Sequence, residues 1–153
     1  LRDSRLNVVT SGGSTLTFRM ADVFRTVLRL EGFYNSLGSG DQALLTWVHA
    51  TGDYRPLFFG RYYGIAQVNI SRRSQYEPNL TFTTVMNLQD RSGLARLDLS
   101  AYLLRDTVTQ LYFEVPFGRR GSEFRFQPDP QVLSLPAPPL ALFNAGVSVR
   151  IKM

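Results

Sequence analysis

Alternation with a period of two is the feature that most limits what this chain can become. In the closing stretch Asn144–Met153, Val147, Val149, Ile151 and Met153 take every second position, and Ser148, Arg150 and Lys152 fall between them. Strand side chains point alternately to opposite faces, so this segment has one apolar face and one wet, basic face. The same rhythm returns upstream. Tyr62, Gly64, Ala66, Val68 and Ile70 oppose Tyr63, Gln67, Asn69 and Ser71. Leu97, Leu99, Ala101 and Leu103 oppose Arg96, Asp98, Ser100 and Tyr102, and Leu111, Phe113, Val115 and Phe117 oppose Gln110, Tyr112 and Glu114. Repeated segments of this kind, divided by Gly, Pro, Asn and Asp, predict an all-β antiparallel chain.

Taken in order, residues 1–13 read as irregular and end in the breaker Ser11-Gly12-Gly13-Ser14. Strands are expected over about 14–22 and 24–36, because Thr15, Thr17, Val23 and Val27 are β-branched and the run continues into Phe33-Tyr34. A helix is the alternative here, since Met20, Val23, Phe24, Val27 and Leu28 also fit helical spacing. A third strand is expected from Gln42 to about Gly52, then a loop to Gly60 holding Pro56 and flanked by aromatics, and a strand over 61–73. Leu80, Phe82, Thr84, Met86 and Leu88 mark the next strand, and Gln89 to Gly93 turns the chain. Five of the eight prolines lie in the connection 118–140, which excludes a paired central strand there, although Ser122 to Gln127 could extend a hairpin. Residues 14–153 thus hold about eight strands, mostly 9–13 residues long, close to the length a tilted strand needs to cross a hydrocarbon layer.

Composition narrows the environment. No run of about 18 apolar residues exists, which excludes a transmembrane helix. A mean hydropathy of -0.10 fits a membrane barrel, whose strands give every second position to polar residues facing the lumen. The net charge of +5 comes from sixteen Arg and one Lys. These cations are scattered, with no run longer than Arg72-Arg73 or Arg119-Arg120, which argues against nucleic acid as a partner. Cysteine is absent, so disulfides and thiolate metal sites are excluded. Leu1 to Arg5 is not followed by the apolar core of a signal peptide, so an exported protein is expected here as a mature or truncated chain.

No enzyme signal emerges. His49 is the single histidine and has no second His or Cys to share a metal with, and no Gly-x-Ser-x-Gly elbow exists. Gly12-Gly13 and Gly38-Ser39-Gly40 lack the lysine and spacing of a phosphate loop, so no cofactor is expected. Asp98 and Glu114 are carboxylates that neighbouring strands could bring together, and an exposed or Arg-paired structural role is the expected one for them. The expected lumen-facing charges are Arg19, Arg25, Arg29, Glu31, Arg96, Asp98, Glu114, Arg150 and Lys152. Opposite charges there can pair and brace the wall, because a charge facing lipid at mid-depth costs about 2–4 kcal/mol. Alternatively the basic residues attract anionic solutes. Tyr54, Phe58, Phe59, Tyr62, Tyr63, Phe117 and Phe124 cluster near predicted strand ends, either as an interfacial aromatic belt or as packing in a soluble sheet.

The stretches Asn87-Leu88-Gln89-Asp90-Arg91-Ser92-Gly93-Leu94, Leu97-Asp98-Leu99-Ser100, Pro116-Phe117-Gly118 and Gly121-Ser122-Glu123-Phe124, with Arg61-Tyr62-Tyr63-Gly64 before them, resemble the C-terminal part of a porin-like family of bacterial outer-membrane β-barrel proteins. The resemblance covers roughly residues 60–126 and concerns a family of mostly unassigned function. Asn144, Gly146, Val149 and Ile151 also resemble the C-terminal signal read by the barrel assembly machinery, except that such signals usually end on an aromatic and this chain ends on Met153. The resemblance implies an antiparallel transmembrane β-barrel of about eight strands, or the C-terminal portion of a larger barrel, in the bacterial outer membrane. Its expected partners are outer-membrane lipid, the assembly machinery and other envelope proteins. The expected function is a passive pore or export conduit, or the membrane anchor of an envelope complex. A soluble all-β binding module of lipocalin or sandwich type is the alternative.

Overall fold

A computed structural model describes residues 8–20, 24–41, 58–72, 78–104, 107–126 and 142–151. They form one seven-stranded antiparallel sheet in simple sequence order: β1 (Val9–Met20), β2 (Phe24–Asn35), β3 (Tyr62–Arg72), β4 (Asn79–Asn87), β5 (Ser92–Leu104), β6 (Thr107–Phe117) and β7 (Asn144–Ile151). β1 and β7 are its two edges and do not pair with each other, so the sheet is open. One 3-10 turn, Glu123–Arg125, is the helical element among the described residues.

Several expectations shift. The chain is already extended at Val9, so the glycines at 12 and 13 sit inside a strand, with Gly12 opposite Gly32 and Gly13 opposite Glu31. Pairing to β2 overrides their breaker tendency. The helical alternative fails over 24–35, which is strand throughout. The segment 42–52 lies outside the described residues, and no strand is interposed between β2 and β3, which pair directly from Phe24↔Arg72 to Tyr34↔Tyr62. The described sheet thus has seven strands where about eight were expected. Ser122 to Gln127 does not extend a hairpin: its first part is the 3-10 turn.

Register propagates one division of faces across all seven strands. Directly paired residues share a face. One rung runs Leu16, Leu28, Val68, Phe82, Leu97, Phe113, Ala145, and the neighbouring rung runs Thr15, Arg29, Gln67, Thr83, Arg96, Glu114, Asn144. One face is therefore mainly apolar and the other mainly polar, the latter interrupted by one apolar rung of Ile65, Val85, Leu94 and Pro116. Exposure is the reverse of a soluble protein's. Phe82 is 43% and Leu97 41% exposed on the apolar face, while Thr81, Thr83, Arg96 and Asp98 opposite are half-buried. Among the described residues the one buried apolar side chain is Tyr63, and it belongs to the polar face.

Local chemistry pins the register. Pro116 lacks a donor and sits beyond the last β6–β7 pair, Glu114↔Asn144, where β6 needs none on that side. Gly146 is opposite Tyr112, and a Cβ there would run into the Tyr112 ring. The aromatic lies over the glycine and covers its bare backbone, a known device for fixing strand pairing. The two long connections fall at the same end. Both long connections, 36–61 and 118–143, and the short one, 88–91, join strands at one end of the sheet, and the strands joined through 21–23, 73–78 and 105–106 meet at the other.

The two faces should respond differently to the same change. If the apolar face meets lipid, Leu97→Arg is expected to destabilise the protein in lipid vesicles by about 2–4 kcal/mol. Ser100→Arg, on the polar face, is expected to stay within about 0.5 kcal/mol of the parent. Urea unfolding of vesicle-inserted protein measures both.

Candidate functional site

Two clusters occupy the polar face, one at mid-sheet and one at the end where the long connections meet. At mid-sheet, Arg96 and Asp98 are two residues apart on β5 and so share a face. Arg96 Nε and Nη2 donate to Asp98 Oδ2 and Oδ1, each at 2.8 Å. Arg96 Nη1 lies 3.5 Å from Glu114 Oε2 across the ladder to β6. Gln110 Nε2 donates to Asp98 Oδ1 at 2.9 Å, and the Arg96 guanidinium stacks 4.7 Å from the Tyr112 ring centre. Asp98 and Glu114 are therefore not a direct carboxylate pair. Arg96 stands between them, because the register sets Arg96, not Asp98, opposite Glu114.

The remaining charges do not converge in this way. Arg29 Nε donates to Glu31 Oε1 at 2.7 Å on β2. Arg19 and Arg25 face each other across β1 and β2, and Arg150 is opposite Val108. Lys152, Tyr54 and His49 lie outside the described residues. Between the charged strands the wall is neutral and self-paired: Gln67 Nε2 donates to Thr83 at 3.2 Å, and Asn69 Nδ2 donates to Asn79 and Thr81 at 2.8 Å each. Asn144, Gly146, Val149 and Ile151 all lie on the edge strand β7, with Val149 and Ile151 on its apolar face and highly exposed.

At the long-connection end, one carboxylate ties three connections together. Glu123 accepts the Phe59 N–H at 2.7 Å on Oε1, and on Oε2 it accepts the Tyr63 hydroxyl at 2.5 Å and Asn87 Nδ2 at 2.7 Å. The Gly60 N–H donates to the Tyr63 hydroxyl oxygen. Gly60 approaches Asn87 so closely that any Cβ would overlap its side-chain amide. Asp90 completes the arrangement. Its Oδ1 accepts Ser92 N at 2.9 Å and Ser92 Oγ at 2.6 Å, and its Oδ2 accepts Glu123 N at 2.8 Å. The fully buried Ser92 and the nearly buried Asn87 and Ser122 surround it. A buried polar network of this sort rigidifies only when its members are satisfied, and here both carboxylates have partners on both oxygens.

Aromatics seal the same corner from the polar side. Phe58 lies 4.7 Å from Tyr63 and 5.4 Å from Phe33, ring centre to ring centre. Tyr63 and Phe58 therefore do not belong to an outward aromatic belt, because register puts Tyr63 on the polar face. Tyr62 does point outward, 5.3 Å from Tyr34 and about half exposed.

No family model, curated protein or solved structure matches this chain. The end cluster is what the sequence alone does not assemble. Its parts stand out as two separate motifs, 87–94 and 121–124, and nothing in their spacing says that they bond to each other.

Removing the central acceptor is the direct test. Glu123→Gln sets an amide NH2 against donors, and Tyr63→Phe strips partners from Gly60 and Glu123. Each is expected to cost about 1–3 kcal/mol, the penalty of a buried polar group left unpaired. Limited proteolysis should then cut within 118–126 in the variants faster than in the parent.

Proposed function

We propose that this sheet is part of the wall of a β-barrel in the bacterial outer membrane, acting as a passive pore or export conduit or as the membrane anchor of an envelope complex. The single observation that carries the proposal is the inverted sheet, apolar and exposed on one face, polar and half-covered on the other. In water an exposed apolar face of this extent is unfavourable. Against lipid it is the required surface, and the polar face then lines a lumen. A lipocalin or sandwich would turn the apolar face inward instead.

The connections support the same reading. Connections of six residues or fewer at one end, with both long connections at the other, fit the pattern of outer-membrane barrels. Strand parity favours the C-terminal portion of a larger barrel. In the seven-stranded antiparallel meander formed by the described residues, β1 and β7 run the same way, so joining them directly would create a parallel pair. An odd number of further strands closes the wall with antiparallel pairs throughout and gives the even total usual for bacterial barrels. Outer-membrane lipid, the assembly machinery and other envelope proteins are the partners this reading names.

The protein should need detergent for solubility and should change mobility on a detergent gel when boiled. A water-soluble monomer with identical boiled and unboiled mobility refutes the barrel. Steps of conductance in a planar bilayer support the conduit, and tight insertion without conductance supports the anchor.

A further inference from the structure

One polar-face rung, the last before the short-connection end on β1 to β4, with the rung Tyr102, Val108 and Arg150 beyond it on β5 to β7, is chemically unlike the others. Following the register it reads Arg19, Arg25, Ser71, Asn79, Ser100, Gln110 and Ser148. It holds two arginines and no carboxylate. Arg19 and Arg25 are directly paired, so their Cβ atoms stand about 4.5–5.5 Å apart on one face, an arrangement that is destabilising for like charges. Elsewhere on this face the structure avoids such an arrangement: Arg96 holds Asp98 and Glu114, and Arg29 holds Glu31. Among the described residues Arg19 and Arg25 have no hydrogen-bond acceptor and no ion-pair partner, and both are exposed. Their neighbours on the rung are neutral hydroxyl and amide side chains.

We propose that Arg19 and Arg25 form a binding site for an oxyanion group, a phosphate, sulfate or carboxylate carried by a water-soluble solute. Two guanidinium groups on one face present forked donors that match the oxygens of such a group, and a bound anion turns their mutual repulsion into a shared attraction. Along their own rung the wall is neutral from β3 to β7, with Arg150 one rung further out on β7, so the charged group is held at the β1–β2 corner while the rest of a polar solute meets Ser, Asn and Gln. This deepens the conduit reading by naming its solute class, and rests on that reading only for the role in transport.

The test is the urea-unfolding midpoint of the protein in phosphatidylcholine vesicles, with sodium pyrophosphate against sodium chloride at equal ionic strength. Pyrophosphate is expected to raise the midpoint of the parent. Arg19→Gln and Arg25→Gln should each weaken the apparent pyrophosphate affinity about tenfold, as expected for the loss of one charge-assisted partner. Without pyrophosphate, Arg25→Gln should be at least as stable as the parent, because the repulsion is gone. Arg150→Gln, which removes the same charge from β7, should leave the affinity unchanged.

Equal pyrophosphate shifts in the parent and in Arg25→Gln overturn the proposal, as does an equal loss in Arg150→Gln, which would mean that net charge alone matters. An arginine-dependent shift produced by phosphatidylglycerol vesicles and not by pyrophosphate also overturns it, because the ligand is then a lipid headgroup. The barrel reading fails separately, on detergent-free solubility and unchanged gel mobility, whichever way the arginine variants behave.

Discussion

Because strand side chains alternate with a period of two, each of the six pairings in this sheet must hold its register for one face to stay apolar and the other polar. A slip of one residue between β4 and β5 would carry Arg96 and Asp98 to the face of Leu80 and Phe82. In a membrane that mistake costs about 2–4 kcal/mol for the arginine alone. The devices that guard the register are local: Tyr112 over Gly146, Pro116 placed beyond the last β6–β7 pair, and Arg96 clamped between Asp98 and Glu114. The polar face is thus both the candidate site and the part of the sheet that fixes its own alignment.

The two ends of that face are built on different principles. Where the long connections meet, charge is consumed. Glu123 and Asp90 spend their oxygens on backbone amides, on hydroxyls and on the Asn87 amide, which binds the connections after β2 and β6 to the turn after β4. At the opposite end charge is left over, with Arg19 and Arg25 opposed and, among the described residues, without an ion-pair partner. On the proposed barrel this makes a braced mouth at one end and a basic corner at the other. Between them a solute would meet the paired charges Arg96, Asp98 and Glu114 and the neutral, self-paired side chains of β3 and β4.

The opening arrangement of strands was readable because it depends on short-range periodicity. The alternation around Leu97, Leu111 and Val147 assigned faces that the register then joined into one surface. The early strand start at Val9 was less readable, since Gly12 and Gly13 break strands in isolation and are extended here only through β2. The inward position of Tyr63 was legible from its place beside Gln67 and Asn69, and the interfacial preference of tyrosine competed with it. The motifs 87–94 and 121–124 announced themselves without saying that they were two halves of one network.

By itself the sequence determined the class of structure, an antiparallel all-β chain with one apolar and one polar face, because period-two patterning acts residue by residue and needs no knowledge of neighbours. It also determined which charges share the polar side. Only the tertiary structure decided which of them meet. Whether Asp98 faces Glu114 or Arg96 does, and whether Arg19 meets a carboxylate or Arg25, depends on inter-strand register, which is set by pairing between segments distant along the chain. The same holds for Glu123, whose partners at 59, 63 and 87 become neighbours only once the strands between them are laid side by side.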